Sequence, residues 1–275
     1  MRENNFGDGR QHDAEEFLGF LLEVLEDELN MARDKGPLAV LTSSQEEVRR
    51  KWPVLRSSWM EWQRFLHSSD SFITHKFRGQ SVFTRTCSHC GFESKSWDTW
   101  LTIQLPILEV QSQTLSDALT RRFENSGSLE DYRCESCKAK GNKSTLQEKL
   151  SRCPDILIIM FKRGLTDLNC RARKITTRLT FPLDDLDMDR YFIPVDGVVS
   201  EKLDRSYMKP FKYDCYAVIQ HAGRTITSGQ YWTLLRDLRK DRKTWTRFSD
   251  EQVTTVPAIR TQDSESYVLF YERQK

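Results

Sequence analysis

Two pairs of cysteines constrain the fold of this 275-residue chain more than any other feature. Each pair has the spacing C-x-x-C, and the four residues are Cys87, Cys90, Cys134 and Cys137. Each spacing places two sulfurs on one tight turn, and two such turns can surround a Zn²⁺ ion tetrahedrally. The 43 residues between the pairs, positions 91–133, exceed a compact zinc finger, so we expect strands to bring the turns together. The alternative is four reduced, metal-free thiols. A closed four-sulfur site has no open coordination position, so its role is to stabilise the fold rather than to catalyse.

Composition narrows the class of protein further. The longest apolar run, residues 156–161, is far shorter than the ~20 residues of a membrane span, and the first residues, MRENNFGDGR, contain no signal peptide, so we expect an intracellular protein. The cysteine count is seven, which is odd, and in a reducing compartment C-x-x-C pairs favour metal over disulfides. With 42 basic and 40 acidic side chains the net charge is +2, which disfavours a nucleic-acid partner.

The order of the predicted elements indicates an α+β fold. Apolar residues recur every three or four positions over residues 11–30, which predicts an amphipathic helix. A second helical stretch covers residues 45–67, and Pro53 is expected to start or kink part of it. Residues 114–123 predict a short helix capped by Thr114 or Ser116. The rest reads as strands, including the continuous apolar run DILIIMFKR and the C-terminal run SYVLFYER.

Eight segments in order resemble the ubiquitin-specific protease family. They run from position 11 to position 273, nearly the whole chain, and one alone would be weak evidence. The segments are QHDAEEFL, FRGQSVFTRTCSHCG, YRCESC, LSRCPDILIIMFKRG, KITTRLTFPLDDLDM, YAVIQHAGRTITSGQY, WTRFSDEQV and SYVLFYER.

The resemblance implies a papain-like hand with a helical thumb, an antiparallel β palm and fingers tipped by a zinc ribbon. We expect residues 1–70 to be the remainder of the thumb, 71–155 the fingers with the ribbon, and 156–275 the palm. The family hydrolyses the bond after the C-terminal glycine of ubiquitin. A cysteine thiolate attacks, a histidine acts as base and then acid, and a third residue orients the histidine.

The chain departs from the family at the residues that cleave. The nucleophile of the family precedes the QHDA helix, and the ten residues before Gln11 contain no cysteine, so we expect that segment to be missing. Gln230 occupies the histidine position, and an amide cannot relay a proton because it does not titrate. Ser249 occupies the third position, whereas the adjacent Asp250 matches the family.

The remaining cysteines do not replace the nucleophile in this prediction. Cys153 lies at the start of a strand, Cys170 in a polar turn and Cys215 within an apolar strand. None lies at a predicted helix N-terminus, where a thiolate would be stabilised.

Residues that match the ubiquitin-contacting positions of the family are still present. Asp13 and Glu16 are three residues apart, so they are expected to share a helix face and to hold the basic tail of ubiquitin. Both could instead be helix N-terminal acids that the helix dipole favours. His221 and Tyr231 match residues that line the tail channel, whereas Gly164 stands where the family has phenylalanine.

Three functions therefore remain open. The first is a pseudoenzyme that recognises ubiquitin. The second is an active deubiquitinase whose cysteine segment is missing from the printed sequence. The third is a zinc-ribbon interaction module or a nonfunctional fragment. Because the missing segment would leave apolar positions of the first helix in water, we also expect a protein partner that covers this thumb helix.

Overall fold

Four of the five α-helices in the described part of the chain lie within its first third. The structure is a computed structural model and describes residues 6–36, 38–166, 172–195, 202–225, 228–239, 242–257 and 262–275. The helices in this part of the chain are Ala14–Glu28 (α1), Ser43–Arg50 (α2), Val54–Leu66 (α3), Phe72–Phe77 (α4) and Leu115–Phe123 (α5). Two further single turns of 3₁₀ helix lie at Asp189–Tyr191 and Arg205–Tyr207.

The strands follow from residue 79 onward. They are Gly79–Cys87 (β1), Glu93–Trp100 (β2), Thr102–Pro106 (β3), Ser112–Thr114 (β4), Gly127–Tyr132 (β5), Asn142–Arg152 (β6), Ile156–Lys162 (β7), Gly164–Thr166 (β8), Ala172–Lys174 (β9), Arg178–Thr180 (β10), Leu186–Asp187 (β11), Lys212–Thr225 (β12), Ser228–Leu235 (β13), Thr244–Ser249 (β14), Gln252–Pro257 (β15) and Ser266–Arg273 (β16).

Two main sheets organise these strands. A four-stranded antiparallel sheet has the order β2-β1-β6-β5, and an eight-stranded sheet has the order β15-β14-β13-β12-β16-β7-β3, with β11 paired to β12. The predicted antiparallel palm matches the eight-stranded sheet except that β3 and β7 run parallel. Strand β7 is the predicted apolar run, and its five central residues are buried, as expected of a strand covered on both faces.

Local capping signals fix where the helices begin. Thr42 and Thr114 each form a capping box with the residue three positions later, which confirms Thr114 as the cap of α5. The second predicted helix is in fact two, α2 and α3, because Pro53 occupies the position before Val54 and cannot continue α2. Helix α4 was not predicted, because its six residues are too few for a periodic apolar pattern.

Helix α1 is shorter than residues 11–30 and is only partly covered. It begins after Asp13 and ends at Glu28. Its inward face buries Leu22 at 6% exposure, whereas Phe17, Leu21, Leu25 and Leu29 are 38–49% exposed. Part of the apolar face of the helix therefore meets water, as the sequence predicts. Among the described residues, no helix has the length and apolar character to cross a membrane.

A buried ion pair joins the inward face of α1 to the start of the first sheet. Glu26 is 6% exposed, and its two carboxylate oxygens accept hydrogen bonds from Nε and Nη2 of Arg78 at 2.5 Å each. The hydroxyl of Thr74, in α4, donates to the same carboxylate at 2.7 Å. Three donors thus offset the cost of burying this charge.

Candidate functional site

The four cysteines converge at one end of the four-stranded sheet. Cys87 ends β1, Cys90 lies in the following turn, and Cys134 and Cys137 lie in the turn after β5. Their sulfur atoms all lie within 4.8 Å of one another, and those of Cys90 and Cys134 are 3.6 Å apart.

This geometry fits a tetrahedral metal. Four sulfurs at about 2.3 Å from a Zn²⁺ ion would be roughly 3.8 Å apart. The chain leaves the first cysteine turn through β2 and reaches the second cysteine turn through β5. The antiparallel pairing of β1 with β6 and of β6 with β5 brings the two turns together. The four cysteines can therefore hold a metal ion.

The residues that the sequence predicts at the triad positions, Gln230 and Ser249, lie together with Asp250 on the β13–β14 side of the large sheet. Gln230 Nε2 donates to Ser249 Oγ at 3.2 Å and to Asp250 Oδ2 at 2.7 Å. Gln230 lies in β13, and Ser249 ends β14. Both amide N–H groups are used by these two acceptors, so the side chain holds the pair in place but has no group that titrates near neutral pH.

The β12–β13 hairpin that presents Gln230 is closely packed. Gly229 has a φ of +155°, and a Cβ built on it would lie 2.1 Å from the carbonyl oxygen of Ala222 and 2.5 Å from His221 Nε2. Only glycine fits there. The residue before Gln230 is therefore fixed by space as well as by backbone conformation.

His221 and Tyr231 form one wall of the site. They face each other in the register of β12 and β13, and their rings stack with centroids 4.5 Å apart. Burial and the nearby Lys174 ammonium lower the pKa of His221. Lys174 is itself buried and donates to the carbonyl oxygen of His221 at 2.6 Å, which holds β9 against β12.

Asp13 does not lie in α1, so the expectation that it shares a helix face with Glu16 is wrong. It is the N-cap, and its Oδ1 accepts from the backbone N–H of Glu15 at 2.7 Å. Its Oδ2 accepts from the hydroxyl of Tyr267 at 2.8 Å and from that of Tyr231 at 3.4 Å. The carboxylate thus joins the start of α1 to two strands of the large sheet, and Glu16 remains exposed.

The sequence did not reveal three contacts of the site, which are made by Tyr267, Lys174 and Gln11. Tyr267 and Lys174 occupy ordinary strand positions, and Gln11 Nε2 donates to the carbonyl oxygen of Gly229 at 3.4 Å. Each partner lies more than 40 residues away in the chain. No local pattern could have indicated these contacts.

The isolated cysteines within the described residues are inert. Burial raises the pKa of the Cys153 thiol to about 12 and also raises that of Cys215. A buried thiol that does not ionise is not a nucleophile. The predicted turn around Cys170 lies outside the described residues.

Asp13→Ala is expected to destabilise the domain by about 2–3 kcal/mol, because it removes a helix cap and leaves the buried Tyr267 hydroxyl without an acceptor. Asp13→Asn is the matched control and should cost much less, since its amide oxygen can still cap the helix and its amide N–H can donate to the hydroxyl oxygen of Tyr267. Urea denaturation measures both. Equal losses for the two variants would contradict the roles assigned to the carboxylate oxygens.

Fold and site together define a papain-like α+β hand with a cluster of four cysteines at one end of its four-stranded sheet. Residues 1–271 match the family described as ubiquitin carboxyl-terminal hydrolase, and the chain belongs to that family.

Individual relatives agree with this assignment. Ubiquitin carboxyl-terminal hydrolase 5 of Saccharomyces cerevisiae is 30% identical over 98% of this chain, which spans 33% of that relative's length. Ubiquitin carboxyl-terminal hydrolase 2 of Gallus gallus is 31% identical over 95% of this chain and 68% of its own length. This chain thus spans about a third of the yeast relative.

Solved structures agree in fold. Ubp8 in the SAGA DUB module bound to ubiquitin aldehyde superposes with a TM-score of 0.68 at 19% identity, covering 97% of this chain and 50% of that one. Ubp8 in the module bound to monoubiquitin gives the same TM-score, with 49% of its chain covered. The predicted α+β hand is thereby confirmed.

Proposed function

We propose that this domain binds ubiquitin and does not hydrolyse the bond after its C-terminal glycine. The observation that carries the proposal is Gln230, whose amide donates to both Ser249 and Asp250 at the position of the family's histidine. In the family reaction an imidazole takes the proton of the nucleophile and then protonates the leaving group. An amide can do neither near neutral pH.

Ubiquitin binding is proposed from the residues that remain. The structurally similar Ubp8 modules were solved with ubiquitin aldehyde or monoubiquitin bound. In this chain Glu16 is exposed beside the wall formed by His221 and Tyr231, so it is free to meet a basic tail. We assign Asp13 a positioning role: its carboxylate holds Tyr231 and the start of α1, and the remaining lone pair of Oδ1 can still accept a hydrogen bond from an arginine.

We further propose that the fingers, residues 71–155, hold one structural Zn²⁺ through the four cysteines, between a thumb at 1–70 and a palm at 156–275. The close sulfur geometry supports zinc over other divalent ions, since four thiolates in a tetrahedral arrangement are typical of zinc ribbons. The ion would stabilise the fingers and take no part in cleavage. Reduced cysteines at this site also support an intracellular location.

A protein partner is proposed for the exposed face of α1. Phe17, Leu21, Leu25 and Leu29 present a continuous apolar surface that water would otherwise contact. Phe6 already packs on Phe17 and Phe20, with ring centroids 5.3 and 5.1 Å away, which covers only the first turn.

The second candidate is an active deubiquitinase whose cysteine is supplied by polypeptide beyond these 275 residues. The names of the relatives favour it, since they are hydrolases of which this chain spans only a part. It would need a replacement for the missing imidazole. His221 is the nearest imidazole in the chain, but it is buried and its pKa is lowered by burial.

A paired assay separates the candidates. Titrating the 275-residue protein with ubiquitin by calorimetry is expected to give binding, and a fluorogenic amide of the ubiquitin C-terminus is expected to give no turnover. Loss of a nucleophile and base together corresponds to a rate lower by on the order of 10⁶-fold. Glu16→Arg should weaken binding, whereas Glu23→Arg, an exposed change on the same helix, should not. Turnover would contradict the proposal; absence of both binding and turnover would indicate a domain that has lost recognition.

Gln230→His refines this test. The imidazole would lie beside Asp250, whose carboxylate is 2.7 Å from the present amide nitrogen, and its pKa should rise above 6.5 because the charged form is paired. The imidazole resonances of the variant can be titrated by NMR, with Asp250→Asn in the same background as control. If Gln230→His alone restored turnover, a nucleophile would have to be present in the chain, and Gln230 would be the cause of inactivity in the wild type. If the imidazole pKa of the variant did not depend on Asp250, the assignment of Gln230 to the histidine position would be wrong.

A further inference from the structure

A cleft between α2 and α3 takes no part in the site described above. Its volume is about 320 Å³, and it is lined by the apolar parts of Leu41, Val48, Trp52 and Met60, with Arg49 and Arg64 at its rim. None of these residues belongs to the metal cluster, to the Gln230 site or to α1. We call this cavity the α2–α3 cleft.

The size of the cleft selects what it can hold. Small-molecule pockets in proteins extend from about 300 to 1,000 Å³, so this one is at the lower limit and suits a single bulky side chain. The cleft is open to apolar surface, because its lining residue Val48 is 53% exposed and Val40, next to the lining residue Leu41, is 89% exposed. An occupant larger than the cavity would cover that surface as well, which favours a protein segment over a small ligand.

The charged side chains at the rim indicate which charge an occupant of the cleft should carry. Arg49 is compensated, since it forms ion pairs with both Glu46 and Glu61. Arg64 Nε lies 4.0 Å from the carboxylate of Glu61, which also pairs with Arg49. The guanidinium of Arg64 donates a hydrogen bond to the carbonyl oxygen of Ala39, and its side chain is 28% exposed. Arg64 is therefore the least compensated charge at the cleft, and a carboxylate on the occupant would complement it.

Contacts within the protein keep the cleft open. Arg49 lies over the ring of Trp97 in β2 at 4.9 Å, and Arg50 lies over Phe92 at 5.1 Å and reaches Glu135 at 3.3 Å. These contacts fix α2 against the cysteine ribbon, and Pro53 separates α2 from α3. The cleft is thus preformed, which lowers the entropic cost of filling it.

We propose that the α2–α3 cleft is a docking site for a partner protein segment that inserts one aromatic or leucine side chain and places an acidic residue beside Arg64. The site would recruit a second protein independently of ubiquitin. It does not depend on the proposed function, because no residue is shared between the two sites.

Peptide display on the metal-loaded 275-residue protein tests the proposal. A random peptide library is panned on the wild type in the presence of excess Met60→Trp variant, in which the larger side chain fills the cleft. The expected result is enrichment of peptides that carry an aromatic residue or leucine together with Asp or Glu. Their affinity should fall at least about tenfold for Met60→Trp and for Val48→Glu. Met60→Leu conserves volume and should bind normally, and so should Val253→Glu, a change at an exposed position of β15.

The charge assignment is tested by a double-mutant cycle. Replacing the acid of an enriched peptide with lysine should weaken binding to the wild type by about tenfold and have little effect on binding to Arg64→Gln. Failure to recover any cleft-dependent peptide would overturn the proposal. Cleft-dependent peptides without an acid, or with a preference for basic residues, would overturn the chemistry assigned to the partner. Thermal melts identify any variant that fails to fold, in which case Val48→Glu and Met60→Trp substitute for each other.

Discussion

Chelating the Zn²⁺ that we propose for the four cysteines is expected to unfold the half of the four-stranded sheet that lies next to them. Structural zinc contributes about 10–16 kcal/mol in small zinc-binding peptides, which is comparable to the whole stability of a domain, about 5–15 kcal/mol. Burial contributes little to the stability of β5, because five of its six residues are exposed. Hydrogen exchange of the backbone amides should therefore accelerate in β5 and in the ends of β1, β2 and β6 that lie next to the cysteines. The eight-stranded sheet, which contains the buried strand β7 and lies away from the cysteines, should keep its protection.

Cysteine variants provide the matched comparison. Cys90→Ser should lower the zinc content measured by mass spectrometry and reproduce the effect of chelation. Cys153→Ser should leave one zinc per chain, since Cys153 is buried away from the cluster. Unchanged exchange in β5 after the metal has been removed would show that the ribbon folds without it.

Glu26→Ala is expected to cost about 3–5 kcal/mol, because it leaves the guanidinium of Arg78 buried without its carboxylate. The side chains of Glu26 and Arg78 are 7% and 15% exposed, so water cannot take the place of the missing partner. The loss should appear as a lower midpoint in urea denaturation. Glu23→Ala, at an exposed position of the same helix, should change stability by less than about 0.5 kcal/mol.

Removing both charges together tests the mechanism. In the double variant Glu26→Met and Arg78→Met no charge is left unpaired, so its stability should lie closer to the wild type than that of Glu26→Ala. If the double variant were the less stable of the two, the ion pair itself, rather than the unpaired arginine, would be the source of the effect.

The features that the sequence predicted correctly are those with local signals. The C-x-x-C turns, the capping box at Thr114 and the apolar run of β7 each depend on residues a few positions apart. Gln230 and Asp250 could be placed from motifs, and the hairpin geometry of the large sheet then brings them into contact.

The features that it missed depend on distant partners. Asp13 was assigned to a helix face because its neighbours have helical periodicity, but a cap is decided by the conformation of one residue. Its contact with Tyr267 joins positions 254 residues apart, and nothing around Tyr267 indicates it. Lys174 and His221, which are 47 residues apart, are a similar case.

The contact between Asp13 and Tyr267 has a mechanical consequence. It joins the start of the first helix to the start of the last strand, so α1 is anchored on the large sheet through one carboxylate. A force that pulled the start of α1 away from the sheet would act directly on the hydrogen bonds of Asp13. The wall formed by His221 and Tyr231 lies beside the same carboxylate, because Tyr231 also donates to it. Tension on the first helix would therefore be transmitted to the surface where we propose that ubiquitin binds.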